Sequence, residues 1–145
     1  MVNEMLKQAI EQGLKENGLW YFGHPYTCYD IVPQKYLIQE AQYQLCLQRT
    51  IKLIEAGWTV FSPIIHSHPI QSNSLGLLRH SGRDDMSLHR FMMNIDLVIL
   101  KETNFCGLIL APGWEGSKGC HTEQEIFVNE SKPILNYADL VVTDV

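Results

Sequence analysis

The segment from Phe105 to Glu130 constrains this chain more than any other. It opens on an apolar run, Phe105-Cys106-Gly107-Leu108-Ile109-Leu110, which is short and shows no polar alternation. That is the pattern of a parallel strand buried on both faces. Ala111-Pro112-Gly113-Trp114-Glu115-Gly116-Ser117-Lys118-Gly119 follows, rich in turn formers, and a helical pattern then runs from about Gly119 to Glu130. A strand, a glycine-bearing turn and a helix N-terminus in succession place a ligand site at the carboxyl edge of a sheet.

Within that helix Cys120, Glu123 and Phe127 fall three and four apart, so a carboxylate shares a stripe with apolar side chains. Two readings follow. Glu123 is a surface acid that favours the helix's positive end, the commoner case for acids near helix starts. Alternatively it faces a cleft, held ionised by the helix dipole, as a nucleophile requires.

The rest of the chain alternates strands and helices. A weak amphipathic helix covers about Val2–Lys15 and is broken by Asn17-Gly18. Leu19-Trp20-Tyr21-Phe22-Gly23 reads as the first buried strand, running into the turn His24-Pro25-Tyr26-Thr27. Pro33 opens the next helix, which carries Ile38, Ala41, Leu45, Ile51 and Ile54 at helical spacing and ends near Ala56 before Gly57. Trp58-Thr59-Val60-Phe61 is the second strand, stopped by Ser62-Pro63. A long loop is expected from Ile64 to Arg83; loops of that length are either functional, here a lid over residues 71–83, or disordered. From Asp84 to Thr103 a strand at Asp96-Leu97-Val98-Ile99-Leu100 competes with a helix carrying Leu88, Met92, Ile95 and Ile99. The helix is preferred because the strand from Phe105 to Ala111 follows almost at once. Lys132-Pro133-Ile134-Leu135-Asn136 is the fourth strand, and Asp139–Thr143 a fifth short strand or a tail. The expectation is a single α/β domain over residues 1–145, a doubly wound, flavodoxin-like or Rossmann-like parallel sheet of about five strands with helices on both faces.

A net charge of -5 offers no basic footprint for a nucleic-acid polymer, although a small nucleotide remains compatible with it. The four cysteines form no Cys-x-x-Cys pair, so free thiols in a reducing compartment are expected. No stretch is apolar enough to span a membrane, the first residues do not read as a signal peptide, and a cytoplasmic location is expected.

In a parallel sheet the turns after each strand gather on one edge. Here they carry His24, Pro25 and Tyr26, then His66 and His68, then Trp114, Ser117 and Gly119, with Glu123 opening off the same edge and Tyr21 pointing toward it. His66, His68, Cys120 and His121 form a rival, metal-binding set. His-x-His is nonspecific, however, and neither a His-Glu-x-x-His nor a paired-cysteine pattern supports it. A Ser117 or Cys120 triad lacks the Gly-x-Ser-x-Gly elbow. No metal and no cofactor is expected.

Three segments, in this order, resemble the nucleoside 2-deoxyribosyltransferase family and its relatives, the nucleoside 5'-monophosphate N-glycosidases. They are Tyr21-Phe22-Gly23-His24-Pro25-Tyr26, Asn94-Ile95-Asp96-Leu97 with Ile99, and Ser117-Lys118-Gly119-Cys120-His121-Thr122-Glu123 leading to Lys132-Pro133-Ile134. The Pro-Gly-Trp-Glu-x-Ser-x-Gly segment is similar to an uncharacterised subgroup of that family. The resemblance implies that Glu123 is a glutamate nucleophile, that Asp96 orients or protonates the leaving base from a helix before the third strand, and that Tyr21 holds the nucleophile. It further implies a nucleoside or nucleotide substrate, no cofactor, and a homo-oligomer whose neighbour helps close each site. With the residues gathered on the sheet edge, the expected substrate contacts are Gly23, His24, Pro25, Tyr26, His66, Trp114, Ser117 and Gly119.

The chemistry suits these residue types. N-glycosidic cleavage passes through an oxocarbenium-like state that a carboxylate stabilises or traps as an ester, and the departing base needs a proton or hydrogen bond. His121 and Thr122 stand where many relatives have small residues, and the turn after the first strand lacks the arginine found there in some monophosphate hydrolases. Serine at position 117, where the transferases tend to carry an acid, favours a 5'-monophosphate, because a carboxylate would repel a phosphate. Two alternatives stand beside this reading. One is an enzyme of the riboside-monophosphate phosphoribohydrolase kind, whose Pro-Gly-Gly and Gly-Thr-x-x-Glu signature matches only in part. The other is a nucleotide-binding or sensing module without turnover.

Overall fold

The computed structural model describes residues 4–26, 35–70 and 85–141. Elements follow in the order α1 (Glu4–Glu11), α2 (Leu14–Asn17), β1 (Trp20–Gly23), α3 (Lys35–Glu55), β2 (Val60–Phe61), α4 (63–70), α5 (Asp85–Glu102), β3 (Gly107–Leu110), α6 (Lys118–Asn129) and β4 (Ile134–Asn136). Short 3-10 turns lie at Trp114–Gly116 and Tyr137–Asp139. Pro33 and the proposed lid over 71–83 lie outside the described residues.

The four strands form one all-parallel sheet in the order β2-β1-β3-β4. Trp20 of β1 stands opposite Val60 on one side and Gly107 on the other, and Leu108 of β3 stands opposite Ile134. Side chains alternate across the sheet, and each face has its own core. Trp20, Phe22, Ile109, Ala111 and Leu135 pack with Leu6 and Ala9 of α1 and Cys46 and Leu53 of α3. Tyr21, Leu108 and Leu110 pack on the other face with Leu100 of α5 and Cys120 and Phe127 of α6. Every residue of β1 and β3 is buried, as their unbroken apolar runs require. The architecture is therefore the expected doubly wound α/β sheet. Among the described residues no helix is long and apolar enough to cross a membrane.

Some local expectations change. Among the described residues the sheet has four strands rather than about five. Of the segment Asp139–Thr143, expected as a fifth short strand or a tail, the described part begins in a turn at Tyr137–Asp139, where the Leu140 N-H donates to the Tyr137 carbonyl, and residues 142–143 lie outside the described residues. The first helix is two, α1 and α2, divided at Gly13, whose φ of 72° breaks the helical path. The largest correction concerns 63–70, read as the start of a long loop and in fact helical. Ser62 caps this helix: its hydroxyl accepts from the Ile65 N-H at 3.3 Å and its carbonyl from the His66 N-H at 3.2 Å. Pro63 then takes the first helical position, where its missing N-H costs nothing. Ser-Pro ends the strand and starts a helix in the same two residues.

Candidate active site

β1 and β3 are the central strands. The chain leaves β1 for β2 on one side and later returns to β3 on the other, so the connections diverge at their carboxyl ends and open a crevice there. A cavity of about 280 Å³ occupies that place. Tyr21 contributes to its wall from β1, Asp96 from α5, and Glu123 from α6.

Glu123 is carried inward by its helix. Cys120 and Phe127, on the same stripe, are each only 1% exposed, and packing them against the sheet turns the carboxyl into the cavity. Gly23 makes room for it, since a Cβ there would lie 3.2 Å from Glu123 Oε1 and 3.3 Å from Leu110 Cδ2. Burial pushes the Glu123 carboxyl up to about 8; a hydrogen bond from Tyr21 opposes the rise and the nearby Asp96 charge adds to it. This corrects the expectation of a carboxylate held ionised by the helix dipole. The dipole acts within the first turn, Glu123 sits in the second, and there burial dominates.

Tyr21 is walled by Phe61, Phe105 and Phe127, with ring centroids 5.2–6.0 Å away. Burial, reinforced by the Glu123 and Asp96 charges, raises its phenol well above the ordinary value, so it remains a proton-bearing donor to Glu123. Asp96 is raised as well, chiefly by burial, but hydrogen bonds from His66 and Ser67 pull it back. The His66 contact is a long one, Nδ1 to Oδ1 at 3.4 Å. Both acids are thus raised by burial, with His66 beside Asp96 and Tyr21 beside Glu123 opposing the rise.

Other wall residues come from the turn after β1 and from the start of α6. His24 lines the cavity with both ring nitrogens already engaged: Nδ1 donates to the Pro25 carbonyl at 2.8 Å and Nε2 accepts from Arg49 Nη1 at 2.9 Å. Burial lowers its imidazole to about 4, with Arg49 acting in the same direction, so the ring is neutral and offers the cavity a surface rather than a donor. Tyr26, Ser117, Lys118 and Gly119 also line the wall. Ser117 caps α6, accepting from the Cys120 N-H at 3.3 Å, and its side chain also hydrogen-bonds the Cys120 thiol.

Four of the expected contact residues are not on the wall: Gly23 sits beneath the Glu123 carboxyl, and the other three are His66, Trp114 and Pro25. His66 stands behind Asp96 as its partner. Trp114 packs on His121 at 5.1 Å, and Pro25 lies against Gly113, tying the turn after β1 to the turn after β3. The rival metal set does not converge either: among the described residues no three of His, Cys, Asp and Glu gather as ligands.

Residues 18–139 match the family described as a domain of unknown function, DUF1937. The chain belongs to the DUF1937 family. The match runs from just before β1 to the turn after β4 and so includes the whole cavity wall. No curated protein matches the chain.

Several wall and support residues of this DUF1937 domain escape sequence reasoning. Met92 and Met93 of α5 and Ile64 and Ser67 of α4 line the cavity, and Arg49 of α3 braces His24. The α4 residues were hidden by the loop reading. Those of α3 and α5 carry no local signal, because a helix's cavity-facing side is defined only by what packs against it. The Ser62-Pro63 capping pair was the one cue that would have recovered α4.

Proposed function

We propose that this DUF1937 domain cleaves or transfers the N-glycosidic bond of a nucleoside or nucleoside 5'-monophosphate. The observation that carries the reading is the pair of acids, Glu123 and Asp96, facing one largely apolar cavity at the sheet's switch point, each with its own hydrogen-bonding partners. Pairs of titratable groups in unlike environments are the usual arrangement for dividing nucleophile and acid roles. The sequence resemblance assigns the roles, and the geometry is compatible with them.

In this reading the Glu123 carboxylate attacks the anomeric carbon and forms a glycosyl ester. The electrons of the C–N bond leave with the base, which Asp96 protonates or hydrogen-bonds. Water or a second base then releases the sugar. Tyr21 donates to Glu123 and favours its charged form against the burial that opposes it. Ser117, Lys118 and Gly119, at the N-terminal end of α6, suit a 5'-phosphate, since hydroxyl and N-H donors there attract an anion.

A carboxyl displaced to about 8 is mostly protonated at neutral pH, which favours the rival reading of a nucleotide-binding module without turnover. One assay separates the two. The protein is incubated with nucleosides and their monophosphates, and free base is followed by chromatography. Release of base by the wild type, reduced by several orders of magnitude in a folded Glu123→Ala variant, is expected. Binding without any release of base would support the module, and undiminished release by the variant would remove Glu123 from the mechanism.

A further inference from the structure

A second polar chain ends on the same cavity and has no part in the chemistry proposed above. Glu40 of α3, His68 of α4 and Tyr26 of the turn after β1 stand in line: Glu40 Oε2 lies 2.5 Å from His68 Nε2, and His68 Nδ1 lies 2.8 Å from the Tyr26 hydroxyl. Tyr43 stacks on the His68 ring at 4.4 Å, with planes 24° apart, and fixes its plane. His68 is buried, while Glu40 reaches solvent and takes a further hydrogen bond from Gln44 at 3.0 Å. The hydrogen bonds from Gln44 and His68 hold the Glu40 carboxyl below its ordinary value, so it is a carboxylate and can only accept.

Proton accounting then sets the direction of the chain. A carboxylate at Nε2 requires a ring proton there, and a ring that carries that one proton leaves Nδ1 bare. With the single ring proton on Nε2, the Tyr26 O-H is the donor to Nδ1. Burial and the Glu40 charge push the Tyr26 phenol up to about 12, so the hydroxyl keeps its proton. What Tyr26 has left to offer at the cavity wall is the lone pairs of its oxygen. His24, the other polar ring from this turn, has both nitrogens occupied.

We propose that Glu40, His68 and Tyr26 form an orienting relay that makes the Tyr26 oxygen a fixed hydrogen-bond acceptor at the cavity wall. It selects ligands that present a donor there, a sugar hydroxyl or a base amino group. Tyr26 is then a specificity residue, and His68 and Glu40 are positioning residues acting through it. The choice of ligand class rests on the proposed function; the direction of the relay does not.

Two measurements decide it. Nitrogen-15 NMR of the histidine rings in the protein at neutral pH should show His68 with a single proton, on Nε2, and a proton on Nδ1, alone or together with one on Nε2, would overturn the relay. Calorimetric binding of nucleosides, their monophosphates and their 2'- and 3'-deoxy analogues is then compared in Glu123→Gln and in Glu123→Gln with Tyr26→Phe. Loss of the acceptor should weaken about tenfold those ligands that carry the matching donor, and leave the analogue lacking that group unaffected. A merely structural tie between α3 and α4 would change melting temperature without discriminating between a ligand and its deoxy analogue. Binding retained with equal affinity in both proteins across the whole panel would overturn the specificity role while leaving the proposed function standing. No binding of any of these ligands to the Glu123→Gln protein would overturn the proposed function and the ligand choice, with the relay's direction still decided by the NMR result.

Discussion

Replacing Glu123 by glutamine should change how the stability of the protein depends on pH. The folded carboxyl stands at about 8 against an ordinary 4.5, and burial is the main cause. A folded value above the unfolded one means that the native state prefers the protonated acid. The corresponding stability is complete below about pH 4.5 and is lost as pH rises through about 8. Between those limits the slope is at most about 1.4 kcal/mol per pH unit, and the whole displacement corresponds to about 5 kcal/mol. Glu123 is half-buried on a cavity of about 280 Å³, which has room for water to hydrate the carboxylate. A loss of about 2–3 kcal/mol is therefore the expected size. Glutamine keeps an acceptor for Tyr21 and cannot ionise. Urea unfolding of both proteins, measured at intervals from about pH 5 to pH 9, isolates the effect as the difference between the two curves. Glu123→Gln should gain on the wild type as pH rises above about 4.5 and hold its lead once the folded carboxyl has ionised, at about pH 8 for the full displacement and earlier in proportion to a smaller loss. Parallel curves over the whole range would refute the reasoning, because they would mean that Glu123 titrates alike in the folded and unfolded chains.

The same ionisation bears on catalysis: if the Glu123 carboxylate is the nucleophile, kcat/KM should rise with pH and level off near pH 8, and a flat or falling profile would contradict that role. Ser117→Asp should weaken use of a 5'-monophosphate at least tenfold while sparing the free nucleoside, and equal effects on both in steady-state kinetics would show that the phosphate is not read there. Gly107→Ala should destabilise by about 3 kcal/mol, because a Cβ would be driven into the Trp20 indole and to 2.7 Å from the Pro133 carbonyl; an unchanged urea midpoint would contradict the packing of β3.

Much of the fold was legible because its signals are local. The unbroken apolar runs at Trp20–Gly23 and Gly107–Leu110 carry two-sided burial in their composition, and both are central strands. Gly57, with φ of 96°, ends α3 as read, and the stripe of Cys120, Glu123 and Phe127 turns inward as a unit. Asp96 was undecided between strand and helix on its own neighbours; the nearness of the next strand decided for α5, and the structure agrees. The misreadings at α4 and at the fifth strand came from residues with two meanings. Ser62-Pro63 both stops a strand and caps a helix, and a short apolar segment after β4 pairs only if a neighbouring edge is within reach.

What periodicity and motif determine, then, is which segments are strands or helices and which acids fall on inward faces. They do not determine the ionisation of those acids. The displacement of Glu123 depends on the number of apolar atoms and donors that three distant elements bring around one carboxyl, and the state of Asp96 depends on His66 and Ser67 arriving from α4. The line from Glu40 through His68 to Tyr26 likewise joins residues up to 42 positions apart. Backbone preference is set by near neighbours in the chain, whereas desolvation and hydrogen-bond partnership are set by neighbours in space, and only the packed tertiary structure supplies those.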